Sequence, residues 1–154
     1  MERTLVIAKP DAVQRGLVGE IVKRMEQKGL KLIGMKMTSL DETILRTHYA
    51  EHVEKSFYAG LEKFMKSSPV VLMAWEGFEC VESVRELIGA TNPRQARAGS
   101  IRGDLAIGVG RNLIHASDSK ASGEREVSLF FKADELFDYD KSEYIHIYEA
   151  FERN

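Results

Sequence analysis

Six consecutive apolar residues, Val70-Val71-Leu72-Met73-Ala74-Trp75, constrain this chain more than any other stretch. They are entered through Pro69 and left at Gly77. That length suits a strand, and an unbroken apolar run means a strand buried on both faces. Thr4-Leu5-Val6-Ile7-Ala8 reads the same way and is stopped by Lys9-Pro10-Asp11, since proline cannot continue a hydrogen-bonded ladder. Two such strands need apolar layers above and below them. Val18, Ile21, Val22 and Met25 supply one helix, with Gly29 as its stop. Val81, Val84, Leu87 and Ile88 supply another, closing at Gly89. Val127, Phe130 and Phe131 mark a third.

The remaining segments are less regular. Leu30 to Leu40 alternates imperfectly, and the Ile33-Gly34 step predicts a bulged strand. Glu42 to Lys66 is helical twice, around Ile44, Leu45 and Tyr49 and again around Leu61, Phe64 and Met65, with an elbow over 56–60. Asn112 to His115 reads as a last short strand. The order is β-α-β-α-β-α-β with added helices. It predicts an α+β sandwich of the split βαβ type in a single domain, and leaves strand pairing undetermined.

Several function classes are disfavoured. Net charge is −2 and the pI is near 6.1, so no basic field favours nucleic acid or anionic membrane. The single cysteine, Cys80, excludes an intrachain disulfide and fits a reducing compartment. No apolar run reaches membrane-spanning length, and charges through the first thirty residues interrupt any secretory signal. A cytoplasmic protein is expected. "GLEKFMKS" at 60–67 has Met65 where a P-loop needs glycine, and Gly108 and Gly110 lack the third glycine of a dinucleotide fingerprint. His48 and His52 could share a helix face as a metal pair, but with no third ligand nearby an ordinary, partly exposed helix is expected there.

Two features remain. "ATNPRQARAGSIRGDLAIGVG" is a long loop-like segment with four glycines and three arginines, and such loops in compact domains are usually functional. Lys9, Arg85, Arg94, Arg97 and Arg102 lie at predicted element ends or in that loop, and together could hold a triphosphate on an acidic protein. "RNLIHASDS" then carries His115 to the end of an apolar strand. A neutral imidazole can attack phosphorus with one nitrogen if the other N–H is held. Glu126 is the nearest candidate to hold it, and Ser117 could bridge the two. Chemistry alone leaves a nucleophile and a strand-capping structural histidine equally open.

"RTLVIAKPDAVQRGLVGEIVKR", "TNPRQARAGSIRGD" and "GRNLIHASDS" together resemble the nucleoside diphosphate kinase family, and the likeness runs without apparent gap from residue 3 to about 149. The resemblance implies a ferredoxin-like, four-stranded antiparallel sheet covered by helices. It also implies a ping-pong exchange in which His115 carries phosphate from a nucleoside triphosphate to a nucleoside diphosphate with Mg²⁺. By matching positions, Lys9 contacts sugar hydroxyl and phosphate, and Asn112 bonds the ribose 3′-hydroxyl. Arg85, Thr91 and Arg102 bind phosphates, with Arg102 nearest the transferred group. Phe57 and Val109 sandwich the base without reading its edge, implying broad base tolerance. Tyr49 lies near the nucleophile, His52 falls where several members bind phosphate, and Ser117 and Glu126 orient His115.

Arg94 and Arg97 have no such match and read as solvated surface. Ala116 stands where glycine is usual, which matters only if that residue needs positive φ, and Ala98 replaces a common proline. The tail past Tyr148-Glu149 resembles the longer chains that form hexamers, so a homohexamer is expected. A binding or signalling relative and a plain RNA-binding split βαβ module are the rival readings. Intact Lys9, Arg102, Asn112 and His115 argue against the first, and the missing aromatic strand motif against the second.

Overall fold

The computed structural model describes residues 1–153. Four strands form one antiparallel sheet: β1 (Glu2–Ala8), β2 (Lys31–Thr38), β3 (Val70–Gly77) and β4 (Ile114–Ala116), in the spatial order β2-β3-β1-β4. The two continuous apolar runs are thus the two central strands, which explains their lack of alternation. Period 2 sends their side chains to opposite layers. Val6, Ala8, Val71, Met73 and Trp75 pack on one face against Ile21 and Met25 of α2 (Val18–Gln27) and Val84 and Ile88 of α5 (Cys80–Ile88). Leu5, Ile7, Leu72 and Ala74 pack on the other against α3 (Glu42–His48), α4 (Tyr58–Met65) and α7 (Lys120–Phe130), through Leu45, Phe64, Met65, Val127 and Phe130. This is the split βαβ sandwich expected from the order of elements.

The edges behave differently. β2 is bulged between Leu32 and Gly34, where the irregular alternation placed the break, and it leaves Met35 and Met37 exposed on the open side of the sheet. β4 pairs with β1 over three residues only.

Some local expectations fail for short-range reasons. Two five-residue helices, α1 (Pro10–Gln14) and α6 (Ile101–Leu105), are too short to carry a periodic signal. The second sits inside the long loop and is capped by Ser100, whose Oγ accepts from Gly103 N at 3.1 Å. The elbow over 56–60 is shorter than expected, because α4 already begins at Tyr58. The last strand starts two residues late. Asn112 and Leu113 lie outside it, and buried Leu113 takes a left-handed φ of 72°.

α7 crosses β1 closely because position 123 has no side chain. A Cβ there would run into the Arg3 carbonyl oxygen, which is backbone and cannot swing away. Gly123→Ala is therefore expected to lower stability by about 1–3 kcal/mol through overpacking, seen as a lower denaturant midpoint at unchanged slope.

Candidate active site

The short β4 does one thing for function. Ile114 and Ala116 bury on the α2/α5 face, so His115 between them projects to the other face, opposite Ile7 of β1. There α7 delivers Glu126, and His115 Nε2 lies 3.0 Å from Glu126 Oε2. The same oxygen accepts from Ser117 Oγ at 2.7 Å, and Ser117 Oγ in turn accepts from Leu5 N at 3.1 Å. Burial raises the Glu126 pKa, but the hydrogen bond and charge of His115 and the Ser117 bond outweigh it, leaving it below the usual carboxylate range. An ionised carboxylate only accepts, so Nε2 carries the hydrogen and Nδ1 keeps the lone pair. Glu126 thus reaches the imidazole directly, and Ser117 bonds Glu126 and Leu5 N rather than bridging His115 and Glu126 as expected from sequence.

Around His115 a cavity of about 480 Å³ opens to solvent. Its wall includes Lys9, Tyr49, His52, Phe57, Arg85, Thr91, Arg102, Asn112 and Glu126. Chain segments far apart converge here: Lys9 Nζ donates to Asn112 Oδ1 at 2.8 Å, and Asn112 Nδ2 donates to the Thr91 carbonyl at 2.9 Å. Among the predicted site residues only two are off the wall. Ser117 is fully buried behind Glu126, and Val109 is half exposed in the turn closed by Gly108 and Arg111. Arg94 and Arg97 are likewise absent from it, as expected of surface residues.

Arg102 has a second duty that sequence did not reveal. Its guanidinium donates to the carbonyls of Gly89 (2.9 Å), Asn112 (3.2 Å) and Ile114 (2.6 Å), and the side chain is buried. Asp11 Oδ2 accepts from Leu113 N at 3.0 Å, and Leu113 O accepts from Lys9 N at 2.9 Å. Arg102, Asp11 and Lys9 thus clamp the left-handed Leu113 from both sides, which holds His115 at a set depth. A buried leucine at positive φ persists only when its surroundings over-determine it. Ala116, by contrast, sits in ordinary strand geometry, so glycine is not required there.

Burial and the neighbouring Arg102 push the Lys9 ammonium down to about 8. Burial, with Arg85 nearby, brings Arg102 down to about 10. Both stay charged at neutral pH. Burial, then Glu126 and Tyr58, pushes the Tyr49 phenol above its usual range.

Wall residues outside the expected set include Asp118, Arg125 and His48. Asp118 and Arg125 lie beside the recognised positions but carry no spacing signal of their own. The partly exposed helix expected here is present as α3, but His52 lies in a separate turn and shares no helix face with His48. α3 ends at His48, and the chain turns so that its side chain is 1 % exposed, with ring centroids 4.6 Å from His115 and 5.1 Å from Phe130.

A family model described as "Nucleoside diphosphate kinase" matches residues 2–136. Similar proteins include a "Nucleoside diphosphate kinase" of Carboxydothermus hydrogenoformans, 52 % identical over 149 residues, covering 97 % of this chain and 100 % of that protein. "Nucleoside diphosphate kinase B" of Canis lupus familiaris is 52 % identical over 148 residues, covering 96 % and 97 %. Among solved structures, a halophilic nucleoside diphosphate kinase from Halobacterium salinarum in complex with CDP superposes with a TM-score of 0.94 at 49 % identity, covering 96 % of this chain and 99 % of that one. With the whole fold and most of its length shared at about half identity, this chain belongs to the nucleoside diphosphate kinase family of phosphotransferases.

Proposed function

We propose that His115 Nδ1 carries the phosphoryl group in a ping-pong exchange between nucleoside triphosphates and nucleoside diphosphates. The observation that carries this reading is the Nε2–Glu126 contact, which leaves Nδ1 as the unprotonated nitrogen of the His115 ring in a cation-lined cavity. Nδ1 attacks the terminal phosphorus, the bond to the bridging oxygen breaks, and a nucleoside diphosphate leaves. The ring gains positive character, which the Glu126 carboxylate offsets while Nε2 keeps its hydrogen. In the second half a terminal oxygen of another nucleoside diphosphate attacks phosphorus. The N–P bond breaks and its electrons return to Nδ1. Both halves exchange bonds of similar transfer potential, so one site serves both.

Lys9, Arg85, Thr91 and Arg102 bind the phosphates, and Asn112 with Lys9 holds the ribose hydroxyl. Phe57 and Val109 take the base between them, and Tyr49 and His52 border the phosphate. Stacking without edge contacts gives broad base tolerance. Mg²⁺ fits this site as a phosphate-borne ion. It prefers oxygen donors and keeps its waters, and the wall offers an ionised Asp118 while Glu126 is occupied by His115 and Ser117. Asp118 would reach it through water, and the ion supplies charge neutralisation on the phosphates. The test is an exchange assay: Mg-ATP with GDP must yield GTP, with parallel double-reciprocal lines, and intersecting lines would sink the covalent mechanism.

Residues 1–154 act in this reading as one catalytic domain, in the cytoplasm, and assemble as a homohexamer. Among the described residues no helix is long and apolar enough to cross a membrane. Exposed Met35 and Met37 on the edge strand β2, and Ile107 at 78 % exposure in the long loop, supply apolar surface for subunit contacts. A calibrated sizing column is expected to return about six chain masses. Tetramers or monomers would refute the hexamer.

Lys9 gives the site a pH signature. Its ammonium is present below about 8 and lost above. Binding an anion needs that proton, so above about 8 the free protein must take one up and affinity falls by up to about tenfold per pH unit. Mg-ADP affinity measured by calorimetry should be flat below that point and decline above it, and Lys9→Met should be weaker and flat throughout. A wild-type profile without the decline would remove Lys9 from the phosphate site.

A further inference from the structure

Phosphoryl transfer as described leaves His48 in the cavity without a task. His48 is almost wholly buried at the end of α3, and neither of its ring nitrogens has a hydrogen-bond partner. Burial, and then His115, push its pKa down to about 3 against the opposing pull of Glu126, so the ring is neutral with an unused lone pair. That ring stands edge-on to His115, and its Nδ1 lies 4.0 Å from Glu126 Oε1. One donor atom from each of His48, His115 and Glu126 falls within 4.8 Å of the other two.

We propose that His48, His115 and Glu126 form a site for a borderline-soft divalent cation of the Zn²⁺ class, and that filling it switches the nucleophile off. Two imidazoles and one carboxylate, with a fourth position facing an open cavity, are a donor set that suits Zn²⁺ and rejects Mg²⁺, which takes oxygen. Tetrahedral coordination at bonds of about 2.0–2.1 Å needs donors about 3.3 Å apart. His115 Nε2 and Glu126 Oε2 are already closer than that, at 3.0 Å. The remaining closure falls to His48, whose rotation breaks no hydrogen bond because it makes none.

The chemical consequence follows from the tautomer. The metal takes the Nε2 lone pair, so in the neutral ring the hydrogen must move from Nε2 to Nδ1. Nδ1 then has no lone pair with which to attack phosphorus. No electron is transferred, Glu126 remains a carboxylate, and Ser117 keeps its bond to it. The site would therefore act as an inhibitory sensor of soft cations, separate from the Mg²⁺ that accompanies the nucleotide. Metal binding rests on the donor geometry alone, whereas the inhibition rests on His115 being the phosphate carrier.

The test titrates Zn²⁺ into nucleotide-free protein by calorimetry, while the ring resonances of the histidines are followed by NMR. The expected result is one Zn²⁺ per chain, with His48 and His115 shifting together and His52 and His146 unmoved. Loss of a ligand's outer partner alone weakens metal sites 10–100-fold, so His48→Phe, which keeps an aromatic ring in the packing, should weaken binding by at least about a hundredfold. In the wild type, Zn²⁺ should also prevent the phosphoryl adduct from forming with Mg-ATP, and a chelator should restore it. Unchanged affinity in His48→Phe, or shifts confined to His52 and His146, would overturn the site. An adduct that forms undiminished with the site filled would overturn the switch. A chain that binds Zn²⁺ as described yet never forms an adduct would refute the phosphohistidine reading and leave the metal site standing.

Discussion

His115→Ala is expected to lose the phosphoryl adduct completely and to slow nucleotide exchange by on the order of 10⁴–10⁶-fold, the range seen when a covalent nucleophile is removed. No neighbour can stand in. His48 is the nearest imidazole, but its side chain is 1 % exposed and packed edge-on to His115, which leaves an entering phosphate little access to it. Tyr49 keeps its phenol proton at any ordinary pH, because burial opposes the charge. Ser117 is fully buried behind Glu126, with its hydroxyl committed at both ends. Intact-mass spectrometry at neutral to alkaline pH after mixing with Mg-ATP reads the result directly. The wild type should gain one acid-labile phosphoryl group, which excess GDP removes as GTP. An adduct that survives acid, or one that persists in the variant, would place the covalent step on another residue. Because His115 is partly exposed and packs against the cavity rather than the central core, the variant should fold and still bind Mg-ADP.

The second large effect concerns Arg102. Three backbone carbonyls, those of Gly89, Asn112 and Ile114, accept from this one guanidinium, and that of Asn112 also accepts from Ile114 N at 2.9 Å. Arg102→Met removes the donor from the Gly89 and Ile114 carbonyls, at about 1–3 kcal/mol per orphaned group, so a net loss of about 2–5 kcal/mol is expected. Leu113 should then relax from its left-handed conformation, and His115, two residues on, should lose its set position. Rate should fall further than charge loss alone explains. Arg102→Lys separates the two contributions, since one ammonium keeps the charge but cannot reproduce a three-way planar fork. It should recover phosphate affinity better than it recovers stability. Denaturant titration alongside the rate of adduct formation makes the comparison. An unchanged midpoint in Arg102→Met would mean that the guanidinium serves the phosphates alone.

How much of this was readable in advance depends on the range of the interactions. β1 and β3 announce themselves because burial on both faces removes polar residues from the strand itself. The helices α2 and α5 show because each buries a stripe at helical spacing. β4 is poorly legible because a three-residue ladder spans less than two periods, and α6 because five residues make little more than one turn. At the site, Lys9, Arg102 and His115 stand out by placement and chemistry, Glu126 and Ser117 follow from the needs of the imidazole, and the resemblance adds Asn112 and assigns the roles. The four-residue spacing of His48 and His52 suggests a shared helix face, which does not form because α3 ends at His48. Helical spacing says nothing of the turn that ends α3 and buries the ring.

The sequence by itself determined the two central strands, the helices that cover them, the absence of P-loop and dinucleotide chemistry, and the family to which the active residues belong. Those features are written in local periods and short motifs. Tertiary structure alone decided which His115 nitrogen is free, what Arg102 holds, and where His48 points. Each of these depends on contacts between distant segments, such as Lys9 with Asn112 across 103 residues and Asp11 with Leu113 across 102. No local pattern encodes such contacts, because they form only when packing of the sheet and its helices brings those backbones to within hydrogen-bond distance.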